Sequence, residues 1–269
     1  MTDKKKVNFK IKPVEVEHDG FNEEEFGLFQ FPSLGIGIGH VAAGKSTLMY
    51  NLIEQLEPVF QGNVIIWSPT IMNDPIGKKL EEEEMFLEHF EEYSNDTLAS
   101  VLQVIANQDE EKKEKYLLVF DDILGLLPKN MMSHDHKYFS HFISTYRHGG
   151  GIAGEGQISL LFFTQYYKDL SPVLRANSTY YFFLGSHSEK HINQYSEELN
   201  AITEGSSEKF IEIWEKAKGA NRYDFLTLDM RKLKAYKNLE EILYDRDEGE
   251  GKKKEDDDDK SSDKEEDSD

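Results

Sequence analysis

Short apolar runs, separated by polar or helical segments, are the main pattern of this chain. Five of the runs have no polar alternation, which is typical of strands that are buried on both faces. They are Leu34–Ile38, Asn63–Trp67, Tyr116–Phe120, Ile158–Phe163 and Tyr180–Leu184. Buried strands that alternate with helices predict an α/β fold, with a mainly parallel central sheet and helices on both faces.

Helical spacing of apolar residues fills most of the segments between these runs. Leu48, Leu52 and Leu56 share one face of a predicted helix over Lys45–Leu56. Residues 78–108 carry two helical patterns, whose inner face would hold Met85, Phe86, Phe90 and Tyr93. The other predicted elements are helices at 134–146, 208–218 and 230–244, a strand at 223–228 and an edge strand at 7–11.

The chain divides by composition into three parts. Residues 1–29 are predicted to form an N-terminal arm, residues 30–244 one domain, and residues 245–269 a disordered acidic tail. The tail has 14 acidic and 6 basic residues and no apolar residue with which to pack. The whole chain of 269 residues has a formal charge of −21, so the rest is acidic as well. This charge argues against a general basic surface for nucleic acid, so any DNA contact must come from a local patch or from loops in an oligomer.

Other features of composition narrow the class of protein. Cysteine is absent, which excludes disulfides and thiolate metal sites. The N-terminus has lysines but no apolar stretch behind them, and no window approaches 18 apolar residues. We expect a soluble, cytoplasmic protein with no membrane partner.

A glycine-rich segment between the first strand and the first helix matches the phosphate-binding pattern G-x-x-x-x-G-K-[ST]. In such a loop successive backbone N–H groups converge on a phosphate, and the helix N-terminus adds its dipole. Lys45 would reach the β- and γ-phosphates of ATP, and the Ser46 hydroxyl would ligate Mg²⁺. The predicted loop consists of Gly39, His40, Val41, Ala42, Ala43, Gly44, Lys45, Ser46 and Thr47.

Two adjacent acids, Asp121 and Asp122, follow the third strand. An acid at this position of a parallel sheet faces the metal beside a phosphate-binding loop, so Asp121 is the predicted Mg²⁺-side residue. Asp122 is the candidate general base, which would orient or deprotonate the attacking water. Two acids after a strand also serve as a helix N-cap, and that alternative stays open.

Gln165 closes the fourth strand. In a P-loop sheet of strand order 5-1-4-3-2 that strand lies between the first and the third, so Gln165 would point at the γ-phosphate as a sensor. The alternative is a buried polar residue that ends a strand. Arg147 and Arg175 are the candidate arginine fingers, although each could instead form a structural salt bridge.

Two further features have plainer interpretations. The glycine loop 149–157 is read as a flexible surface loop, with a DNA-facing loop as the alternative. The histidines at 134, 136 and 141 match no zinc spacing and are read as solvated helix residues.

Several motifs together resemble the genome-packaging ATPases of the FtsK/HerA superfamily. They are GKST, the strand ending WSPT followed by Asn73-Asp74-Pro75, LLVFDD, YRH, and the run SLLFFTQ…LSPVLRANSTYYFFLG. The branch is that of double-stranded DNA viruses with double jelly-roll capsids, including poxvirus-like, virophage and Maverick-type elements. The resemblance covers about residues 30–235. Two departures are Ala42-Ala43, where the family often has Gly-Ser, and a longer glycine loop.

This resemblance implies a ring-forming ATPase with a RecA/FtsK-like P-loop fold that pumps double-stranded DNA into capsids. ATP and Mg²⁺ would be its cofactors, and sequence-independent DNA, capsid or vertex proteins and further copies of the chain its partners. It would act in the host-cell cytoplasm (the viral factory) and possibly in the virion, and Arg147 or Arg175 would act across a subunit boundary. The alternatives are a small-molecule P-loop kinase and a nucleotide-binding scaffold.

Overall fold

A computed structural model describes residues 24–108, 114–124, 134–151, 157–219 and 221–247. Their strands are β1 (Glu24–Phe26), β2 (Phe29–Phe31), β3 (Leu34–Ile38), β4 (Val64–Trp67), β5 (Glu88–Phe90), β6 (Tyr116–Asp121), β7 (Ile158–Thr164), β8 (Tyr180–Phe183), β9 (Leu226–Asp229), β10 (Lys234–Lys237) and β11 (Glu241–Asp245). The α-helices are α1 (Lys45–Gln55), α2 (Glu57–Phe60), α3 (Pro75–Glu82), α4 (Asn95–Ala106), α5 (His134–Thr145), α6 (Pro172–Asn177), α7 (Glu189–Glu198) and α8 (Ser207–Ala217).

Nine strands form the main sheet, in the order β11-β10-β9-β8-β3-β7-β6-β4-β5. The five strands predicted from the apolar runs are β3, β4, β6, β7 and β8, and they lie in the predicted order 5-1-4-3-2. All pairs from β8 across to β5 are parallel. The sheet has more strands than these five. β5 extends one edge, and β9, which overlaps the strand predicted at 223–228, joins β10 and β11 in an antiparallel ribbon at the other.

Helices cover both faces of the sheet, as the apolar runs require. One core includes residues of α4 to α8, and the other includes residues of α1 to α3. Alternate residues of each central strand belong to different cores: Ile36 and Phe162 face the first, and Phe163 and Phe182 face the second. This arrangement confirms the predicted α/β class.

The central strand β3 has glycines at alternate positions, and aromatic rings occupy the space beside them. Gly37 lies opposite Phe163 of β7, whose ring would be 2.4 Å from a Cβ atom placed on Gly37. A Cβ atom placed on Gly35 would lie 3.1 Å from side-chain atoms of both Leu161 and Phe182, which is a tight contact but less so than at Gly37. The glycines of β3 therefore let large side chains of its two neighbours fill one core.

One predicted helix is wrong. Residues 230–244 form the strands β10 and β11 instead of a helix, with turns in which Leu233 and Asn238 take positive φ angles of 52° and 55°. The ribbon pairs with β9, and Lys234 forms an ion pair of 2.6 Å with Asp245 across it. Pairing with a distant sheet edge overrides the helical spacing of the apolar residues in this segment.

The segment 78–108 also differs from its prediction. Its first helix, α3, ends at Glu82, and β5 separates it from α4. Met85 and Phe86 pack against one core, while Phe90 and Tyr93 pack against the other. The four residues therefore do not share an inner face, because an edge strand with period two carries the chain from one side of the sheet to the other.

The two ends of the described region add local structure. β1 and β2 form a hairpin beside Tyr180 of the sheet, whose hydroxyl accepts a hydrogen bond from the Gln30 N–H group. Asp245, the first residue of the predicted tail, is the last residue of β11. The predicted edge strand at 7–11 and residues 248–269 lie outside the described residues. Within the described part, no helix has both the length and the apolar character that crossing a membrane requires.

Candidate nucleotide site

The predicted phosphate-binding loop joins β3 to α1 at the carboxyl edge of the parallel sheet. The Gly39 N–H group donates to the Thr164 carbonyl oxygen at 3.1 Å, which ties the start of the loop to β7. Ala42 and Gly44 take positive φ angles of 62° and 98°, and α1 begins directly after Gly44. The Lys45 ammonium group folds back over the loop and donates to the Gly39 carbonyl oxygen at 2.9 Å. The loop therefore wraps back on itself, and the Lys45 side chain folds over it toward Gly39.

The base of this loop has room only for glycine. A Cβ atom on Gly39 would lie 2.9 Å from the Ala43 Cβ atom and 3.0 Å from the Leu184 carbonyl oxygen. His40, Val41 and Ala42 at the tip are exposed. A phosphate-binding loop needs a tightly packed base, which fixes its backbone, and an exposed tip, where backbone N–H groups can reach a phosphate.

Asp121 ends β6 and is buried, with its side chain next to the loop. The Ser68 hydroxyl donates to Asp121 Oδ2 at 2.9 Å. Burial, the neighbouring Asp122 charge and Asp74 raise the pKa of the Asp121 carboxyl to about 6, and the Ser68 hydrogen bond and the charge of Lys45 oppose that rise. A buried carboxylate whose ionisation is unfavourable is suited to receive a cation.

Asp122 and Gln165 meet beyond the ends of β6 and β7. The Gln165 side-chain amide donates to Asp122 Oδ2 at 3.1 Å, and the Asp122 N–H group donates to the Phe163 carbonyl oxygen at 3.0 Å. Asp122 takes a positive φ of 51°, so the chain turns sharply directly after Asp121. The predicted general base and the predicted sensor are therefore direct neighbours.

The Ser46 hydroxyl has a partner that the sequence analysis did not assign. It donates to Asp74 Oδ2 at 3.0 Å, and the other oxygen of Asp74 accepts from the Ile76 N–H group at 2.9 Å at the start of α3. Asp74 is thus both the N-cap of a helix and the acceptor for the predicted Mg²⁺ ligand.

This set of residues fits Mg²⁺ bound with a nucleotide. In the described part of the chain, no group of three or more histidine, aspartate or glutamate side chains is arranged to hold a metal alone. Mg²⁺ is usually held by one or two protein oxygens together with phosphate oxygens and water, and Ser46 and Asp121 supply such oxygens. The group of residues around Lys45 therefore fits Mg²⁺ with a phosphate chain.

A cavity of about 960 Å³ opens beside the loop. It is bounded by the β1–β2 hairpin, α1 and the turns around β9 and β10. Tyr223, which is 58% exposed, lies against Gly44, because its ring would be 3.6 Å from a Cβ atom placed there. The aromatic residues that line the cavity are Phe26, Phe29, Tyr223 and Phe225. A flat apolar group next to a phosphate would find contacts here.

The two candidate arginines lie away from this cavity's lining. Arg175 pairs with Glu198 at 3.4 Å and lies over the Tyr167 ring at 5.4 Å, which is the salt-bridge arrangement. Arg147 donates to the Tyr146 hydroxyl at 3.2 Å. Most of the glycine loop, residues 152–156, lies outside the described residues. On α5, His134 and His141 are exposed.

Three residues of the site were not assigned by sequence reasoning: Ser68, Asp74 and Tyr223. The first two have a local signal, because Ser-Pro after a strand and Asp-Pro before a helix are a turn and an N-cap. That signal gives their backbone role but not their side-chain partners. Tyr223 has no signal, since it reaches Gly44 only through the folding of the sheet edge.

No family model matches this sequence. No curated protein is similar to it in sequence. Solved structures do match the fold. The genome-packaging NTPase B204 from Sulfolobus turreted icosahedral virus 2, in complex with ATP-gammaS, superposes with a TM-score of 0.54 and 17% identity, over 79% of this chain and 98% of that one. Its complex with AMP gives a TM-score of 0.54 and 17% identity, over 78% and 98%.

A further match is the DNA-packaging ATPase B204 from Sulfolobus turreted icosahedral virus, with a TM-score of 0.54 and 17% identity over 77% of this chain and 96% of that one. These likenesses extend over nearly the whole of each neighbour. The predicted P-loop sheet is thereby confirmed, and the chain shares the fold of these B204 structures.

Proposed function

We propose that this chain is an ATP-driven translocase that packages viral double-stranded DNA into capsids. The observation that carries the proposal is the meeting of Lys45, Asp121 and the Asp122–Gln165 pair at the carboxyl ends of three adjacent parallel strands. The fold supports it, because the similar solved structures are those of genome-packaging NTPases, one of them in complex with ATP-gammaS.

Each residue of the site has a role in ATP hydrolysis. The Lys45 ammonium group leaves the Gly39 carbonyl oxygen and contacts the β- and γ-phosphates. Ser46 and Asp121 would bind Mg²⁺ through their side-chain oxygens. Asp122 accepts the proton of the attacking water, and Gln165 orients the Asp122 carboxylate through the 3.1 Å hydrogen bond. When bound, Mg²⁺ neutralises the charge on the phosphate oxygens. The adenine ring occupies the cavity lined by Tyr223 and Phe225.

The motor acts as a homo-oligomeric ring on DNA of any sequence. A net charge of −21 leaves no broad basic surface, so the grip on phosphates comes from loops that many subunits contribute. Arg147 or Arg175 completes the site of a neighbouring subunit. Capsid or vertex proteins are its other partners, and the host-cell cytoplasm and the virion are its places of action.

The test is ATP hydrolysis by the purified chain, with and without double-stranded DNA. We expect DNA to stimulate turnover and Lys45→Ala to abolish it, because a phosphate-binding lysine is needed in the transition state. Lys78→Ala is the matched control, since it removes an exposed lysine from α3. Equal turnover with and without DNA at every salt concentration would contradict the motor. Transfer of phosphate to a small molecule would support a kinase, and binding without turnover a scaffold.

A further inference from the structure

The connection between β4 and α3, residues 68–74, touches both halves of the predicted metal site. At its start the Ser68 hydroxyl donates to Asp121, and at its end Asp74 accepts from the Ser46 hydroxyl. Ser46 and Asp121 are the two predicted Mg²⁺ ligands. One short segment therefore fixes the side chains of both ligands, although they belong to different motifs.

The segment has little freedom to move. Ser68 Oγ also accepts from the N–H groups of Thr70 and Ile71, at 3.3 Å and 3.1 Å, so its one donor and both acceptor positions are used. The Asp74 N–H group donates to the Ile71 carbonyl oxygen at 3.0 Å. A Cβ atom on Gly77 would lie 1.9 Å from that same oxygen, so the backbone is closely folded here. Asp74 is thus held in place from both sides.

The chemistry of a serine ligand explains why its partner matters. A hydroxyl that binds a cation through an oxygen lone pair keeps its proton and can still donate a hydrogen bond. The position of the hydrogen-bond acceptor then sets the direction of the lone pair. In this structure the hydrogen bond of the Ser46 hydroxyl goes to Asp74, while the hydrogen bond that Asp121 accepts comes from Ser68. A carboxylate is a strong acceptor for such a proton.

We propose that Asp74 is a positioning residue of the magnesium site, which accepts a hydrogen bond from the Ser46 hydroxyl and directs the Ser46 oxygen toward the metal. This inference rests on the proposed function, because it assumes that a magnesium nucleotide binds at Lys45. Asp74 would raise the affinity for Mg²⁺ with bound nucleotide and leave nucleotide binding without metal almost unchanged. Asp74 lies 28 residues from Ser46 in the sequence, so the phosphate-loop motif does not include it.

The decisive variant is Asp74→Ser. Serine is as good an N-cap as aspartate, so α3 keeps its start, but its side chain is too short to reach Ser46. Asp74→Asn is the second variant: it keeps the size and the capping oxygen and turns an amide donor toward Ser46. The control is Ser94→Ala, which removes the N-cap of α4, a helix on the other face of the sheet.

The measurement is the fluorescence anisotropy of a labelled ATP-gammaS, first in EDTA and then with increasing MgCl₂. We expect both Asp74 variants to need about tenfold more Mg²⁺ than the wild type, with affinity in EDTA changed by less than about twofold. Ser94→Ala should match the wild type. Thermal unfolding of each variant shows whether it is folded.

The outcomes separate the two proposals. Wild-type protein that binds no nucleotide under either condition would overturn the proposed function. Wild-type protein that responds to Mg²⁺, with the same midpoint for the Asp74 variants, would overturn only the role of Asp74. An equal loss of affinity in EDTA and in Mg²⁺ would also overturn it, because Asp74 would then support the loop and not the metal ligand.

Discussion

Asp121 is buried at the end of a central strand, and the chain keeps it there at a cost in stability. Its pKa is raised from 3.8 to about 6, first by burial and then by the Asp122 charge. The unfolded chain has the ordinary, lower value. Ionising Asp121 therefore costs more in the folded state than in the unfolded chain, and the stability that is fully present below pH 3.8 is lost as pH rises through about 6.

Replacing Asp121 by asparagine should stabilise the metal-free protein. At pH 8 we expect Asp121→Asn to raise the free energy of unfolding by up to about 3 kcal/mol, because the amide keeps an acceptor for Ser68 without the buried charge. The gain should shrink as pH falls below 6. Urea unfolding in EDTA at pH 8 and pH 5 measures both values, and an ATPase assay should show no turnover. A variant less stable than wild type at pH 8 would contradict this account.

Among the secondary-structure elements, strand β3 does most to set the position of the candidate nucleotide site. It leads directly into the phosphate-binding loop, and β7 and β8 flank it with Gln165 following β7. Its alternate glycines allow Phe163 and Phe182 to pack over the strand. The close fit of β3 with its neighbours therefore sets the spacing between the loop and the side chains beyond β7.

Alanine at the two glycines of β3 should have unequal effects. Gly37→Ala should reduce the free energy of unfolding by roughly 1–3 kcal/mol, because its methyl group would overlap the fully buried Phe163 ring. Gly35→Ala is the matched control in the same strand, where the neighbours need to move only a few tenths of an ångström. Urea unfolding of both variants gives the comparison. Equal losses would show that the Phe163 ring moves freely aside.

The whole molecule is acidic, with a net charge of −21. Its two candidate arginine fingers make contacts within their own chain. Arg175 pairs with Glu198, and Arg147 donates to the Tyr146 hydroxyl. Neither lines the cavity at the phosphate-binding loop. Under the proposed ring arrangement, such an arginine would act at the site of a second copy of the chain.

Mixing two inactive variants tests this arrangement. Subunits with Lys45→Ala keep their arginines, and subunits with Arg147→Ala or Arg175→Ala keep their phosphate loops. If one arginine acts across the subunit boundary, a mixture of its variant with Lys45→Ala should regain DNA-stimulated ATPase activity above the sum of the two alone. Light scattering during the assay confirms a common assembly. Mixed assemblies with no gain for either arginine, at any ratio, would rule out both residues as trans-acting fingers.

Part of the structure could be predicted from the sequence, because neighbouring residues carry the information for it. The five buried strands are continuous apolar runs, and the loop around Lys45 is a contiguous motif whose glycines are needed by its own backbone. Asp121 and Asp122 follow a strand directly. The order of the five strands was predicted as that of a P-loop sheet, on the strength of the motif at Lys45, and the structure has this order.

Other parts depended on residues that are distant in the chain. Ser68 lies 53 residues from Asp121, and Asp74 lies 28 residues from Ser46. Residues 230–244 have helical spacing, but pairing with β9 decides their structure. The salt bridge of Arg175 and the contact of Tyr223 with Gly44 also arise only when the sheet is assembled.

The sequence by itself determined which strands are buried and where the phosphate-binding loop and its acids lie, because each feature is written in neighbouring residues. The order of the five central strands came with the P-loop fold that the loop motif indicates. Tertiary structure alone decided which side chains hold those acids and that serine in place, and what borders the cavity beside them. The physical reason is that a hydrogen bond between two side chains depends on distances of about 3 Å, and only the packing of the whole sheet sets such distances between remote parts of a chain.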